Sequence, residues 1–310
     1  MRKTATVTRS AIRLVNGLVN LFVLMMILLL LTFSCYAIWD SGQIYNAARA
    51  SNYNVYRPTV ENQNESFEEL KRINPDVFSW LTVYGTNIDY PVVQGKDNFT
   101  YVNTDVKGNH SLSGAIFLDY RCSPNFVDFV NILYGHHMEN QVMFGEITNF
   151  SDKTYFDERR YGSLFIDGKE LGLEFFTFVQ ADAYDFDVFR VSITQPEEQQ
   201  AYLKMLLEMA IHSRLDVPVT INDQILLLST CSPDATNGRD ILIGKITDTV
   251  APNPFEKEEV ERPETLPMID ELSTFWMQAS LWVKASIVIV PFLLILLMIV
   301  LILKRRQRRL

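Results

Sequence analysis

Two long apolar runs without charge bracket a middle in which apolar residues come in short, interrupted pieces. Leu18 to Ile38 would be about 31 Å long as a helix, enough to cross the hydrocarbon core of a bilayer. Ala285 to Leu303 would span about 28 Å by the same rise, and Pro291 inside it is tolerated in a membrane helix. Between them the pattern predicts strands at Phe78–Tyr84, Ile88–Val93, Ala115–Leu118, Asn131–Tyr134, Ser163–Ile166 and Leu171–Ala181. Turn pairs such as Tyr84-Gly85, Gln94-Gly95 and Asp167-Gly168 separate them. Ser66 with Glu69 fits a capping box that opens a short helix ending at Asn74-Pro75. Pro196 to Ser213 has apolar residues at helical spacing and predicts one long amphipathic helix with Met205 and Met209 in the core. Ile225–Leu228 and Ile241–Ile246 are unbroken apolar runs, as expected of strands buried on both faces. Many short strands with such punctuation predict a closed barrel or a sandwich.

Charge orients this plan. Arg2, Lys3, Arg9 and Arg13 precede the first run, and Lys304, Arg305, Arg306, Arg308 and Arg309 follow the second. Excess positive charge marks the cytoplasmic side, so both ends are expected inside and the middle outside. The first run is longer than the core of a secretory leader, and the nearest small-x-small site, Ala48-Arg49-Ala50, lies far downstream, so it is taken as an uncleaved anchor. Cys35, after Thr32-Phe33-Ser34, is expected to be a structural thiol. Without the nine tail cations, 19 Lys and Arg face all 37 Asp and Glu, a formal charge of −18 for the outer part. That argues against nucleic acid as a partner.

Chemistry concentrates in ILLLSTCSPDATNGRDILIGKI, Ile225 to Ile246. Cys231 stands where a buried strand surfaces, and Arg239 opens the next strand after a seven-residue loop with an Asn237-Gly238 turn pair. Antiparallel pairing would set the two side by side, where a guanidinium favours a thiolate and offers donors to an oxyanion. A structural cysteine before a surface arginine fits the same stretch. Ser229 and Thr230 read as strand formers. Of four histidines, His110 and His212 read as solvated, while His136 and His137 follow a strand and precede a loop, where sites are built. Position alone does not choose between them.

The wording of these segments resembles the sortases, cysteine transpeptidases of Gram-positive cell surfaces. Leu228, Thr230, Cys231 and Arg239 fit their T-L-x-T-C…R segment, with Leu227 in place of the first threonine. NILYGHHMENQVMFGE (Asn131–Glu146) is similar to the histidine segment of class B sortases, as are NPDVFSWLTVYGTNIDYPVVQ (Asn74–Gln94) and GAIFLD (Gly114–Asp119) to earlier parts of that class. The resemblance covers about Ser66 to Asp248. It implies a mainly β, closed sortase-type barrel with a long helix before the cysteine strand, flanked here by two transmembrane helices. The expected order is a cytoplasmic tail (1–17), a span (18–38), a linker (39–65), the catalytic domain (66–250), a linker (251–284), a second span (285–303) and a basic tail (304–310).

The resemblance further implies Cys231 as nucleophile, His136 as proton donor to the leaving amine and Arg239 as the group holding substrate or oxyanion. The partners implied are secreted surface proteins or pilins bearing a sorting motif, and an amine acceptor that is a pilin lysine or a peptidoglycan precursor. No metal or cofactor is called for. A C-terminal span is more typical of pilus-polymerising class C sortases, yet their Asp-Pro-aromatic lid has no counterpart here. Other readings are a wall-anchoring enzyme, a cysteine peptidase that releases to water, and a non-catalytic scaffold with a Cys122–Cys231 disulfide.

Overall fold

The computed structural model describes residues 2–58 and 65–255. The expected second span and basic tail lie outside the described residues. The chain divides into an N-terminal portion ending at Trp39 and a unit that begins at Asp40.

α1 (Arg2–Ala47) is a continuous helix, and it is long and apolar enough to cross a membrane. Most of its apolar side chains are exposed, Phe22 and Leu30 each 61%, and none from Ile12 to Ile38 is buried among the described residues. Thr32 and Ser34 turn their hydroxyls back onto carbonyls one turn earlier, which satisfies both without water.

The second unit is organised by one sheet. Its strands are β1 (Val77–Val83), β2 (Asp89–Val93), β3 (Ile116–Leu118), β4 (Val130–Tyr134), β5 (Tyr161–Ile166), β6 (Lys169–Asp182), β7 (Ala210–Ser213), β8 (Ile225–Cys231) and β9 (Gly238–Thr247). The spatial order is β5-β1-β2-β3-β4-β8-β9-β6, and β6 pairs back onto β5. Eight strands therefore close into a barrel, as the resemblance implies. β6 is long enough to do this because its first half pairs β5 while its second half pairs β7. The β5–β6 turn is Asp167-Gly168, both at positive φ (48° and 76°), the geometry that a two-residue hairpin needs. β2–β3 and β4–β8 run parallel.

Residues alternate between two cores. Leu226, Leu228, Leu242 and Phe178 join the larger cluster, with Trp80, Phe144 and Phe175. Ile225, Leu227, Ile241 and Val179 join a smaller one beneath α4 (Pro196–Glu208), which contributes Tyr202, Leu203 and Leu206. Met205 and Met209 pack against that cluster as expected.

Two local expectations are corrected. α2 (Glu65–Ile73) starts one residue before Ser66, whose hydroxyl instead bonds Arg57 O, so Ser66 is no N-cap. The long helix stops at Glu208 rather than Ser213. Ala210–Ser213 keeps the helical apolar spacing but finds a better partner for its backbone, pairing with β6 through Phe178↔His212 and Val179↔Ala210. α3 (Lys153–Glu158) was not anticipated, although Asp152 is a regular N-cap, accepting from Tyr155 N.

The segment after α1 is held against the barrel. Ala48 and Tyr53 are buried, and the Tyr90 hydroxyl donates to Ala48 O at 3.0 Å while accepting from Met143 N at 2.9 Å.

Candidate active site

Register alone brings three side chains to one end of the barrel. In the β8–β9 pair Cys231 stands opposite Arg239. The loop between them closes through Ser232 N to Gly238 O at 2.8 Å, with Asn237 in the left-handed region at φ 64°. Arg239 Nη1 donates to Cys231 Sγ at 2.6 Å. Parallel β4 is in register with β8 up to Tyr134↔Ser229. His136 and Cys231 are each two residues beyond that pair, so they emerge side by side. Gly135, between Tyr134 and His136, has little room for a side chain, since a Cβ would sit 2.6 Å from Ile116 Cδ1 and 2.7 Å from Phe144 Cδ2.

His136 Nε2 lies 2.8 Å from Val102 O. A carbonyl only accepts, so Nε2 carries the proton. In the neutral ring the lone pair is then on Nδ1, and in the imidazolium both nitrogens donate. His137 is turned elsewhere, with Nδ1 3.2 Å from Thr148 Oγ1. Of the two histidines, His136 is the one that lines the groove with Cys231 and Arg239. His110 is solvent-exposed, whereas His212, expected to be solvated, bonds Ser151 O at 2.7 Å.

The groove has a volume of about 470 Å³, and Phe99, Val102, Phe117, Phe186 and Phe189 give it apolar walls. Phe99 and Phe186 are 82% and 83% exposed, apolar surface that an extended peptide would cover. Ser229 and Thr230 also line it. Both are buried, and their hydroxyls have no partner among the described residues. A buried hydroxyl without a partner costs about 1–3 kcal/mol; the Ser229 side chain shares the Cys231 face of β8, whereas that of Thr230 points to the other face with Asp240.

One wall is braced by a buried carboxylate. Asp119, fully buried, accepts from Arg121 Nη2 (2.7 Å) and Nε (2.9 Å), Asn98 Nδ2 (2.9 Å) and Tyr134 OH (3.1 Å). Burial pushes its carboxyl up, but the hydrogen bonds from Arg121 and Asn98 outweigh this and hold it below the ordinary value. Sequence reasoning missed this network and the aromatic walls. The Tyr120-Arg121 pair directly after GAIFLD was its only signal.

Cys122 has no part in the groove. It is buried with Sγ 3.6 Å from Val130 O, burial pushes its thiol up to about 12, and both it and Cys231 are free thiols. The disulfide scaffold is not what this structure holds. Another hollow, of about 550 Å³ between α4 and Val219–Ile221, is larger but is lined by neither cysteine nor histidine. Among the described residues no cluster of His, Cys, Asp or Glu is arranged to hold a metal ion.

Comparisons with known proteins converge. No family model matches the chain. It is 30% identical over 190 residues to Sortase B of Staphylococcus aureus, covering 60% of this chain and 76% of that protein. It is similar to the solved sortase B from the type II pilus of Streptococcus pneumoniae, with 50% identity, TM-score 0.52 and 59% of this chain against 99% of that one. A Streptococcus pyogenes class B sortase involved in pilus biogenesis matches at 39% identity, TM-score 0.54, with 59% and 99% covered.

Proposed function

We propose, for a chain that belongs to the class B sortases and is a cysteine transpeptidase of that family, that Cys231, His136 and Arg239 carry the reaction. The Cys231 thiolate attacks the threonine carbonyl carbon of a sorting motif, and Arg239 donates to the oxygen that becomes an oxyanion. As the tetrahedral adduct collapses, the C–N bond breaks and His136 gives its proton to the departing amine. A thioester remains on Cys231. An incoming amine then attacks that thioester, His136 takes the amine's proton, and the thiolate is released. The observation that carries the assignment is the Arg239–Cys231 contact at 2.6 Å on a groove that also holds His136.

The apolar walls and the unpartnered Ser229 hydroxyl on the Cys231 face support an extended peptide as occupant. Addition of triglycine separates transfer from hydrolysis: a transpeptidase diverts product to the amine, and a peptidase does not.

The acceptor in this proposal is a lysine amine of a pilin subunit, with wall peptide as the second choice. The 50% identity to a sortase of a pneumococcal pilus supports it. In the deletion strain, a covalent high-molecular-weight ladder of surface protein disappears from a denaturing gel. Shedding of one monomeric surface protein, with no ladder in the parent, would make this a wall-anchoring enzyme. The enzyme is held by α1, and by a second span at 285–303, with the catalytic unit outside. Protease added to protoplasts then digests the domain and spares tags at both ends; a C-terminal tag cleaved from outside refutes the second span's orientation.

A further inference from the structure

The groove residues have counterparts on the other face of the same strands. Register places Cys231 opposite Arg239 and Arg239 opposite Ala181; one step along, Thr230 faces Asp240 and Asp240 faces Gln180. Paired residues share a face and successive rows alternate, so Asp240 lies on the opposite face from Cys231 and Arg239. Its carboxylate is fully buried and meets two neutral donors, Gln180 Nε2 at 2.9 Å and Thr148 Oγ1 at 2.7 Å.

Thr148 Oγ1 also lies 3.2 Å from His137 Nδ1. A threonine hydroxyl has one proton to give. With that proton committed to the Asp240 carboxylate, the oxygen is an acceptor towards His137, and Nδ1 must carry a proton. His137 belongs to the segment bearing His136, which folds back on itself through Phe144 N to His136 O at 3.0 Å and through the His137↔Met143 bridge. The side chain of His137 is therefore the strut between that segment and β9, the strand bearing Arg239.

We infer that Asp240 is a positioning residue: through Thr148 it fixes the Nδ1–H tautomer of His137 and locks the His136 segment to the strand that carries Arg239. The inference rests on the roles given above to His136 and Arg239. Its value to the reaction is register, because small displacements of reacting groups are costly in rate.

The full chain in detergent micelles, labelled with ¹⁵N-histidine, reads the tautomer directly at about pH 8.5, well above the ordinary histidine pKa. His137→Gln identifies the signal. The wild-type His137 is expected as the Nδ1–H form. Thr148→Val is expected to shift it towards Nε2–H and to lower kcat about tenfold with KM unchanged, while Thr148→Ser keeps both. An Nε2–H form in the wild type, or an unchanged kcat in Thr148→Val, overturns the inference. Should Thr148→Val fail to fold, the wild-type spectrum still decides, because an Nε2–H His137 there overturns the inference. The tautomer is read without turnover, so its failure is distinct from that of the catalytic assignment, which an active His136→Ala would reveal.

Discussion

Arg239 donates to the sulfur of Cys231, and the two are direct cross-strand partners in the β8–β9 pair. The guanidinium is fixed by sheet register rather than by a mobile loop. Arg239→Ala should lower kcat roughly 10²- to 10³-fold, the usual cost of an oxyanion donor, and Arg239→Lys should recover little because one ammonium cannot reproduce the fork. Cys231→Ala should abolish turnover with the melting temperature unchanged. Steady-state rates on a sorting-motif peptide check all three. An active Cys231→Ala enzyme would move the chemistry elsewhere.

His136 and His137 are neighbours in sequence with opposite surroundings. His136→Ala should lose about 10²- to 10⁴-fold in rate, as for a general acid–base group, whereas His137→Ala should stay within about tenfold of wild type. Equal small losses would show that the groove histidine is not the proton donor.

The two thiols beyond α1 should respond differently to alkylation. Cys122 is buried and its thiol is pushed up to about 12, so it stays neutral and unreactive near pH 8, while the exposed Cys231 is modified. Mass spectrometry of the folded protein should find label on Cys231 and none on Cys122 until denaturant is added. Cys122→Ala should leave turnover unchanged. The same burial raises Tyr90 and Tyr101 to about 12. Groups raised in the folded state contribute stability fully present below their unfolded pKa and lost as pH rises towards the folded one. Melting temperature should therefore fall between about pH 9 and 12, and a flat profile there would contradict the buried placement.

Arg121 and Asp119 form a pair in which only the carboxylate is buried, the arginine side chain being 40% exposed. Arg121→Met strips the charge partner from Asp119 and should cost roughly 3 kcal/mol in a urea titration. Asp119→Asn together with Arg121→Met should recover part of that loss. Because the Asp119 carboxyl is held below its ordinary value, its contribution is present above about pH 4 and lost as pH falls through the acid range. An Arg121→Met enzyme as stable as wild type would mean that Asn98 and Tyr134 suffice.

What the chain discloses in advance is what alternation and turn chemistry encode. β8 and β9 are near-continuous apolar runs around an Asn-Gly turn, and the Cys231–Arg239 pairing follows from counting across it. Non-local choices are hidden. Ala210–Ser213 continues a helical spacing, and only the presence of β6 decides for a strand. Asp119 and Asp240 look like ordinary surface acids in sequence; their burial is imposed by donors from residues as distant as Gln180 and Thr148. The Val102 carbonyl that orients His136 has no side-chain signature at all.

The return of β6 onto β5 has a consequence for how copies of this chain meet one another. An open sheet presents a row of free N–H and C=O groups that a neighbouring copy can extend into an aggregate. Here the ring consumes those groups, and the outermost strand, β7, is only four residues long. Its Ala-Ile-His-Ser offers little length for a foreign strand to align with. Copies of this chain at high concentration can thus collide repeatedly with little free strand edge, among the described residues, through which to join.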